Sequence, residues 1–136
     1  MNSQVVARPF ASGGVADAIY QYFEALNRFD LDEVSALFEE TGCLIAPMDV
    51  RSCGREAIAT YLRQECKGMT LYPQSFRIEG ASTIVSGRVR CPAFWVNAEW
   101  IVQLNRGLIS RLRVRLVASL QEMAVLREQV PLRQDL

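Results

Sequence analysis

Apolar residues recur every three or four positions over residues 15–66 and then every second position over residues 70–118. The first spacing is that of amphipathic helices, the second that of half-buried strands. Val15, Ala18, Ile19, Tyr22, Phe23 and Leu26 form one helical stripe. A second helix starts at Asp30, which is placed to cap it. Glu33 completes a capping box, and Phe29 with Val34 makes a hydrophobic staple. This helix carries Val34, Leu37 and Phe38 and stops at Gly42. Residues 43–47 read as a short strand and residues 48–53 as a loop. Gly54 opens a third helix with Ile58, Tyr61, Leu62 and Cys66 inward, and Lys67-Gly68 stops it. Strands are predicted over 70–79, 81–92, 95–104 and 108–117, with a hairpin turn at Asn105-Arg106-Gly107. A second capping box, Ser119 to Glu122, starts a helix that runs to about residue 128, and Pro131 ends it.

Helices followed by a long antiparallel meander predict an α+β domain. The expected form is a cone: a curved mixed β-sheet wrapped around three helices, with the C-terminal helix across one edge. Residues 1–13 read as a flexible arm, 14–128 as the domain and 129–136 as a tail.

Strand parity assigns faces. Val96, Ala98, Trp100, Val102 and Leu104 share one face, opposite Asn97, Glu99 and Gln103. Leu112, Val114 and Leu116 oppose Arg111, Arg113 and Arg115, while Val85, Val89 and Cys91 oppose Ser86, Arg88 and Arg90. The apolar face must cover the helices. The other is rich in arginine, so it reads either as a solvated sheet face or as a dimer or partner surface. Like charges on neighbouring strands repel, and Glu99 of the same or another subunit could compensate them.

Composition narrows the function. The 136 residues are half hydrophobic, with 15 basic and 15 acidic side chains. That balance argues against nucleic acid as a partner. No apolar run reaches membrane-spanning length, and residues 1–14 lack a signal-peptide core, so a cytoplasmic protein is expected. The chain has no histidine, and Cys43, Cys53, Cys66 and Cys91 form no C-x-x-C pair. This leaves no metal site and no Ser-His or Cys-His nucleophile. In the cytosol the four cysteines are expected to be reduced thiols. Arg51 and Arg55 beside Cys53 could lower its pKa and make it reactive; the alternative is an ordinary loop thiol. Asp17, Asp30, Asp32 and Glu33 read as surface or cap residues, and Asp49 as a loop acid within reach of a pocket mouth.

Where helices and sheet face each other, Tyr22 and Trp100 are the aromatics with a polar tip. Two such donors converging in an apolar pocket could hold one carbonyl oxygen of a long hydrocarbon. Alternatively, both are core aromatics bonded to backbone carbonyls.

The order helix pair, short strand, helix, long meander resembles the nuclear transport factor 2-like superfamily. Over residues 13–128 the chain more specifically resembles the C-terminal domain of the cyanobacterial orange carotenoid proteins and its free-standing homologues. The matching stretches are Tyr22-Phe-Glu-Ala-Leu-Asn27, Gly54-Arg-Glu-Ala-Ile58, Tyr61-Leu-Arg-Gln-Glu-Cys-Lys-Gly-Met-Thr-Leu-Tyr-Pro73 and Val85-Ser-Gly-Arg-Val89. Pro92, Asn97, Trp100 and Leu116-Val-Ala-Ser119 follow. The chain departs from the family at Ala46-Pro47-Met48, at the short turn Glu79-Gly-Ala-Ser82, at Phe94-Trp95 and in its arginine-rich last strand.

The resemblance implies a ketocarotenoid held by its ring carbonyl, with Tyr22 and Trp100 at the anchoring positions. Phe38, Ile45, Leu62, Phe76, Val89, Phe94 and Leu116 are the candidate lining. It also implies a homodimer that shares one carotenoid and passes it to a protein partner, acting as carrier or photoprotective quencher without bond chemistry. Arg88, Arg90, Glu99, Arg111, Arg113 and Arg115 are the candidate interface. Two alternatives stand beside this: an isomerase, cyclase or hydratase of the same superfamily, and a dimeric interaction module without ligand.

Overall fold

The computed structural model describes residues 6–117. In chain order the elements are β1 (Arg8–Pro9), α1 (Asp17–Asn27), α2 (Leu31–Ala36), β2 (Phe38–Ala46), a helical turn Pro47–Asp49, β3 (Val50–Cys53), α3 (Arg55–Glu65), β4 (Thr70–Glu79), β5 (Ser82–Arg90), β6 (Trp95–Asn105) and β7 (Leu108–Val117). The strands form one open, curved sheet of seven in the order β1-β4-β5-β6-β7-β2-β3. All neighbours are antiparallel except β2 and β7. This is the α+β architecture expected. The C-terminal helix expected over 119–128 lies outside the described residues.

The core sits between the helices and the inner face of the sheet. Ile19, Tyr22, Phe23 and Leu26 of α1, Ile58 and Leu62 of α3, and Val85, Trp100, Val102 and Leu112 of the sheet are all buried in it. Their spacing explains the elements: i, i+3, i+4 in α1 and strict alternation along β6. Asp30 caps α2 by accepting from the Glu33 amide at 3.2 Å. Glu33 does not close the expected box; its carboxylate pairs with Arg28 at 2.7 Å. The expected staple is loose too, since Phe29 is exposed and has φ 60°.

Three parts differ from the sequence expectation. First, α2 is short, and Phe38 begins β2 where helix was expected. Gly42 does not end a helix. It lies in β2 where a Cβ would come within 2.8 Å of the Ile109 carbonyl, beside the irregular pairing of β2 with β7. Second, residues 50–53 form β3 rather than loop, paired with the end of β2. Third, within the expected arm Arg8 and Pro9 pair with Phe76 and Ser75. Phe10 then packs against Tyr20 and Phe23 at 5.8 and 5.2 Å between ring centres. Those aromatic contacts are tertiary, so local pattern does not announce them.

Candidate functional site

The strand directions define the site. β4 and β6 start, and β5, β7 and β2 end, at the same end of the sheet, which is the open end of the cone. There the helices leave a cavity of about 280 Å³. Its wall is formed by Tyr22 and Leu26 of α1, Tyr61, Leu62, Glu65 and Cys66 of α3, and Leu44, Ala46 and Pro47 from the β2 end. Met69, Leu71, Val89, Cys91, Phe94, Val96, Ala98, Trp100, Val114 and Leu116 complete it. The alternation of β6 puts Val96, Ala98 and Trp100 on this wall. In α3 the i, i+4 pairs Tyr61–Glu65 and Leu62–Cys66 do the same.

Asn27, at the end of α1, fixes the β4 wall. Its side chain donates to the Leu71 carbonyl at 2.9 Å and accepts from the Leu71 amide at 2.8 Å. β4 pairs with β1 only at Ser75 and Phe76, so these edge groups of Leu71 would otherwise have no partner in the sheet.

Tyr22 and Trp100 are each 2 % exposed, and both line the cavity. Phe23 lies edge-on to both rings, at 5.3 and 4.8 Å between centres. Neither the Tyr22 hydroxyl nor the Trp100 indole N–H bonds to a described residue, and both side chains line the cavity; among the described residues the one fully enclosed side-chain polar atom without a partner is Arg88 Nε. Loss of hydration on burial pushes the Tyr22 hydroxyl well above the usual phenol range, and Cys66 and Tyr61 push it further. It is a permanent donor at any physiological pH. Burial, then Glu65 and Cys91, raise the Cys66 thiol to about 11. Tyr61 is raised by burial, Cys66 and Glu65. These wall groups are therefore neutral at pH 7. Glu65, the carboxylate among the described lining residues, is exposed at the end of α3.

The nine residues picked out from sequence fall in two groups. Tyr22, Trp100, Leu62, Val89, Phe94 and Leu116 lie on the cavity wall, Phe94 and Leu116 at 59 % and 57 % exposure. Phe38, Phe76 and Ile45 do not lie on it. Phe38 packs under Tyr22, 6.4 Å between rings, and Phe76 sits in the core opposite Val85. Ile45 follows Leu44 in β2 and pairs with Arg113 and Arg51, so it projects from the opposite, outer face. Tyr61, Cys66, Met69 and Leu71 were not singled out as lining, although the α3 stripe already pointed Tyr61 and Cys66 inward.

The outer face carries the arginines. Glu99 accepts from Arg115 at 2.8 Å and lies 3.7 Å from Arg77, so one buried-edge carboxylate compensates two cations within the same chain. Arg113 pairs with Asp49 at 3.4 Å. Asp49 also reaches Arg51 at 3.5 Å and lines a shallow groove that shares Ala46, Pro47, Val114 and Leu116 with the cavity wall. The guanidinium of Arg88 lies over Trp95 at 4.7 Å, and Trp95 packs on Tyr72.

The expectation of four reduced thiols is corrected. Cys43 and Cys53 form a disulfide. They are direct register partners in the β2–β3 pair, which a reading of residues 48–53 as loop could not bring together. Cys66 and Cys91 are free, and Cys53 is therefore not a free reactive thiol.

With the geometry in hand, relatives can be placed. The chain is 31 % identical over 121 residues to the orange carotenoid-binding protein of Synechocystis sp., covering 81 % of this chain and 38 % of that protein. The solved orange carotenoid protein of Anabaena (Nostoc) sp., which binds canthaxanthin, superposes with TM-score 0.68 at 26 % identity, over 85 % of this chain and 43 % of that one. The chain has the nuclear transport factor 2-like fold. Within it, the similarity is to the C-terminal domain of the orange carotenoid proteins. The chain spans under half the length of these relatives. A ketosteroid isomerase-like structure from Kribbella flavida has TM-score 0.69 at 20 % identity, over 76 % of this chain and 78 % of that one, and shares the fold. No family model matches the chain. Among the described residues no helix is long and apolar enough to cross a membrane, and no group of three or more His, Cys, Asp or Glu side chains is gathered as a metal site would need.

Proposed function

We propose that this protein binds an elongated apolar molecule by a terminal carbonyl, a ketocarotenoid being the best fit, and acts as carrier or quencher without making or breaking bonds. The observation that carries this reading is the pair of buried side chains, Tyr22 and Trp100, whose donors have no hydrogen-bond partner among the described residues and line a mostly apolar cavity. An acceptor oxygen supplied by the ligand satisfies donors that are otherwise costly to bury, by roughly 1–3 kcal/mol each. Similarity to carotenoid-binding relatives supports the ligand class.

A cavity of about 280 Å³ lies at the lower end of the range for small-ligand sites. It encloses one ring and the start of a polyene chain, and the rest leaves past the exposed Phe94 and Leu116. That geometry favours a homodimer sharing one ligand, and transfer to a protein partner, in a cytoplasmic, photoprotective setting. The Tyr72–Trp95–Arg88 cluster, with Arg90 and the Glu99 network, is the proposed contact surface. An isomerase or cyclase reading rests on fold likeness at 20 % identity, and its one candidate carboxylate in the wall, Glu65, is exposed at the mouth.

The test is coexpression with a ketocarotenoid pathway followed by the visible spectrum of the purified protein. A bound band, red-shifted from the free pigment, is the expected result. A colourless protein that also fails to take up added canthaxanthin refutes the reading.

A further inference from the structure

We infer that the Cys43–Cys53 disulfide is an exchange site for a dithiol reductant, and that its opening loosens the cavity wall. The bond joins directly opposed residues of β2 and β3 on the outer face, the face of Arg111 and Arg113. Cys53 is exposed and Cys43 half-buried, so an incoming thiolate reaches the Cys53 sulfur first. Attack there forms a mixed disulfide and expels Cys43 as a thiolate. The second thiol of the reductant then attacks the mixed disulfide and releases Cys53. Two protons and two electrons pass to the protein, and the dithiol leaves as its own disulfide. Arg111 is the register partner of Cys43 on β7, on the same face, and Arg51 lies two residues before Cys53. Cations so placed favour the thiolate that must leave.

The coupling to the cavity follows from connectivity. Among the described strands β3 is an edge strand, held to the sheet by β2 alone. The β2 end supplies Leu44, Ala46 and Pro47 to the wall, and β3 leads through Gly54 into α3, which supplies Tyr61, Leu62 and Cys66. The disulfide is the covalent tie between these two parts of the wall. With it open, that end keeps the strand pairing, the Gly54 amide donating to the Gly42 carbonyl at 2.8 Å and Arg55 Nε donating to the Phe38 carbonyl at 2.9 Å. The inference does not depend on which apolar ligand is bound.

The experiment treats the whole protein with dithiothreitol under native conditions, maps thiols at Cys43 and Cys53 by differential alkylation, and follows dissociation of a polyene probe, retinal. Both thiols should appear while the fold persists, with retinal leaving about tenfold faster. Arg111→Gln, which keeps the disulfide, should slow exchange about threefold or more. A bond that opens only in denaturant overturns the proposal, as does reduction without faster release. If retinal does not bind, protection of α3 and β2 amides from hydrogen exchange replaces the probe, and unchanged protection on reduction overturns this inference, while canthaxanthin uptake decides the proposed function separately.

Discussion

Replacing Tyr22 by phenylalanine separates a ligand-anchoring hydroxyl from a structural one. The ring is 2 % exposed and packs on Phe23 and Phe38, so Phe keeps every apolar contact. The hydroxyl makes no hydrogen bond to a described residue, so its loss removes no bond within residues 6–117. Unfolding free energy should stay the same or rise by up to about 1 kcal/mol, because a desolvated donor is gone. Binding should move the other way. A net hydrogen bond contributes about 0.5–1.5 kcal/mol, so the affinity for a keto-terminated ligand should fall about three- to tenfold. Affinity for the corresponding hydrocarbon without the keto groups should not change. Absorbance titrations with canthaxanthin and its hydrocarbon counterpart, beside a thermal melt, read both quantities. A variant that loses more than about 1 kcal/mol of stability, or that weakens both ligands equally, would show the hydroxyl to be structural and refute the reasoning.

Two further outcomes follow from the core. The Cys66 thiol is raised to about 11 from an ordinary 9.0, so between those pH values the unfolded chain has lost a proton that the native chain keeps. Its contribution, about 3 kcal/mol, is fully present below pH 9 and lost as pH rises through 11; denaturant melts across that window should show this fall, and Cys66→Ala should reduce it, leaving the parts that Cys91 adds above pH 9 and Tyr22 and Tyr61 add above pH 10. At Gly87 an added Cβ would run into the Tyr72 carbonyl oxygen and stand 2.8 Å from the Pro73 Cα, both rigid backbone beside the β4 bulge. Gly87→Ala should therefore cost about 2–3 kcal/mol in a urea melt, and a neutral result would mean that β4 and β5 are not held this closely.

The long strands were legible because nothing competes with their period. β4 and β7 match the expected bounds, β5 and β6 differ by one or two residues, and Arg106-Gly107 turns the chain with φ 55° and 84°. The stretch from Phe38 to Cys53 was not legible. Phe38 continues the helical spacing of Val34, yet its neighbours Glu39, Glu40 and Thr41 lie on a strand that gains its partner only when β7 arrives from seventy residues away. β3 is a polar edge strand of four residues, below the length at which alternation can be recognised. Without its register, neither the disulfide nor the outward direction of Ile45 could be seen. Within the site, Tyr22 and Trp100 stood out because a polar tip on an apolar stripe is rare. The remaining wall is ordinary aliphatic core, and only the end of the cone at which packing stops distinguishes Leu71 or Val96 from Leu112.

The character of the wall bears on the choice between binder and enzyme on one fold. Acid–base catalysis needs a group in the cavity that changes charge near neutrality. The shifts at Tyr22, Tyr61 and Cys66 all run upward, away from pH 7, and each has burial as its largest cause. Burial of that kind keeps each donor neutral and leaves almost none of it as phenolate or thiolate at pH 7. Exposure at the mouth leaves Glu65 in water, where it can meet a partner's cation but not a proton deep in the cavity. Two fixed neutral donors on a carbonyl can also stabilise an oxyanion, so the donor pair serves either role; what supports the proposed carrier is that no carboxylate among the described lining residues is buried where it could generate one.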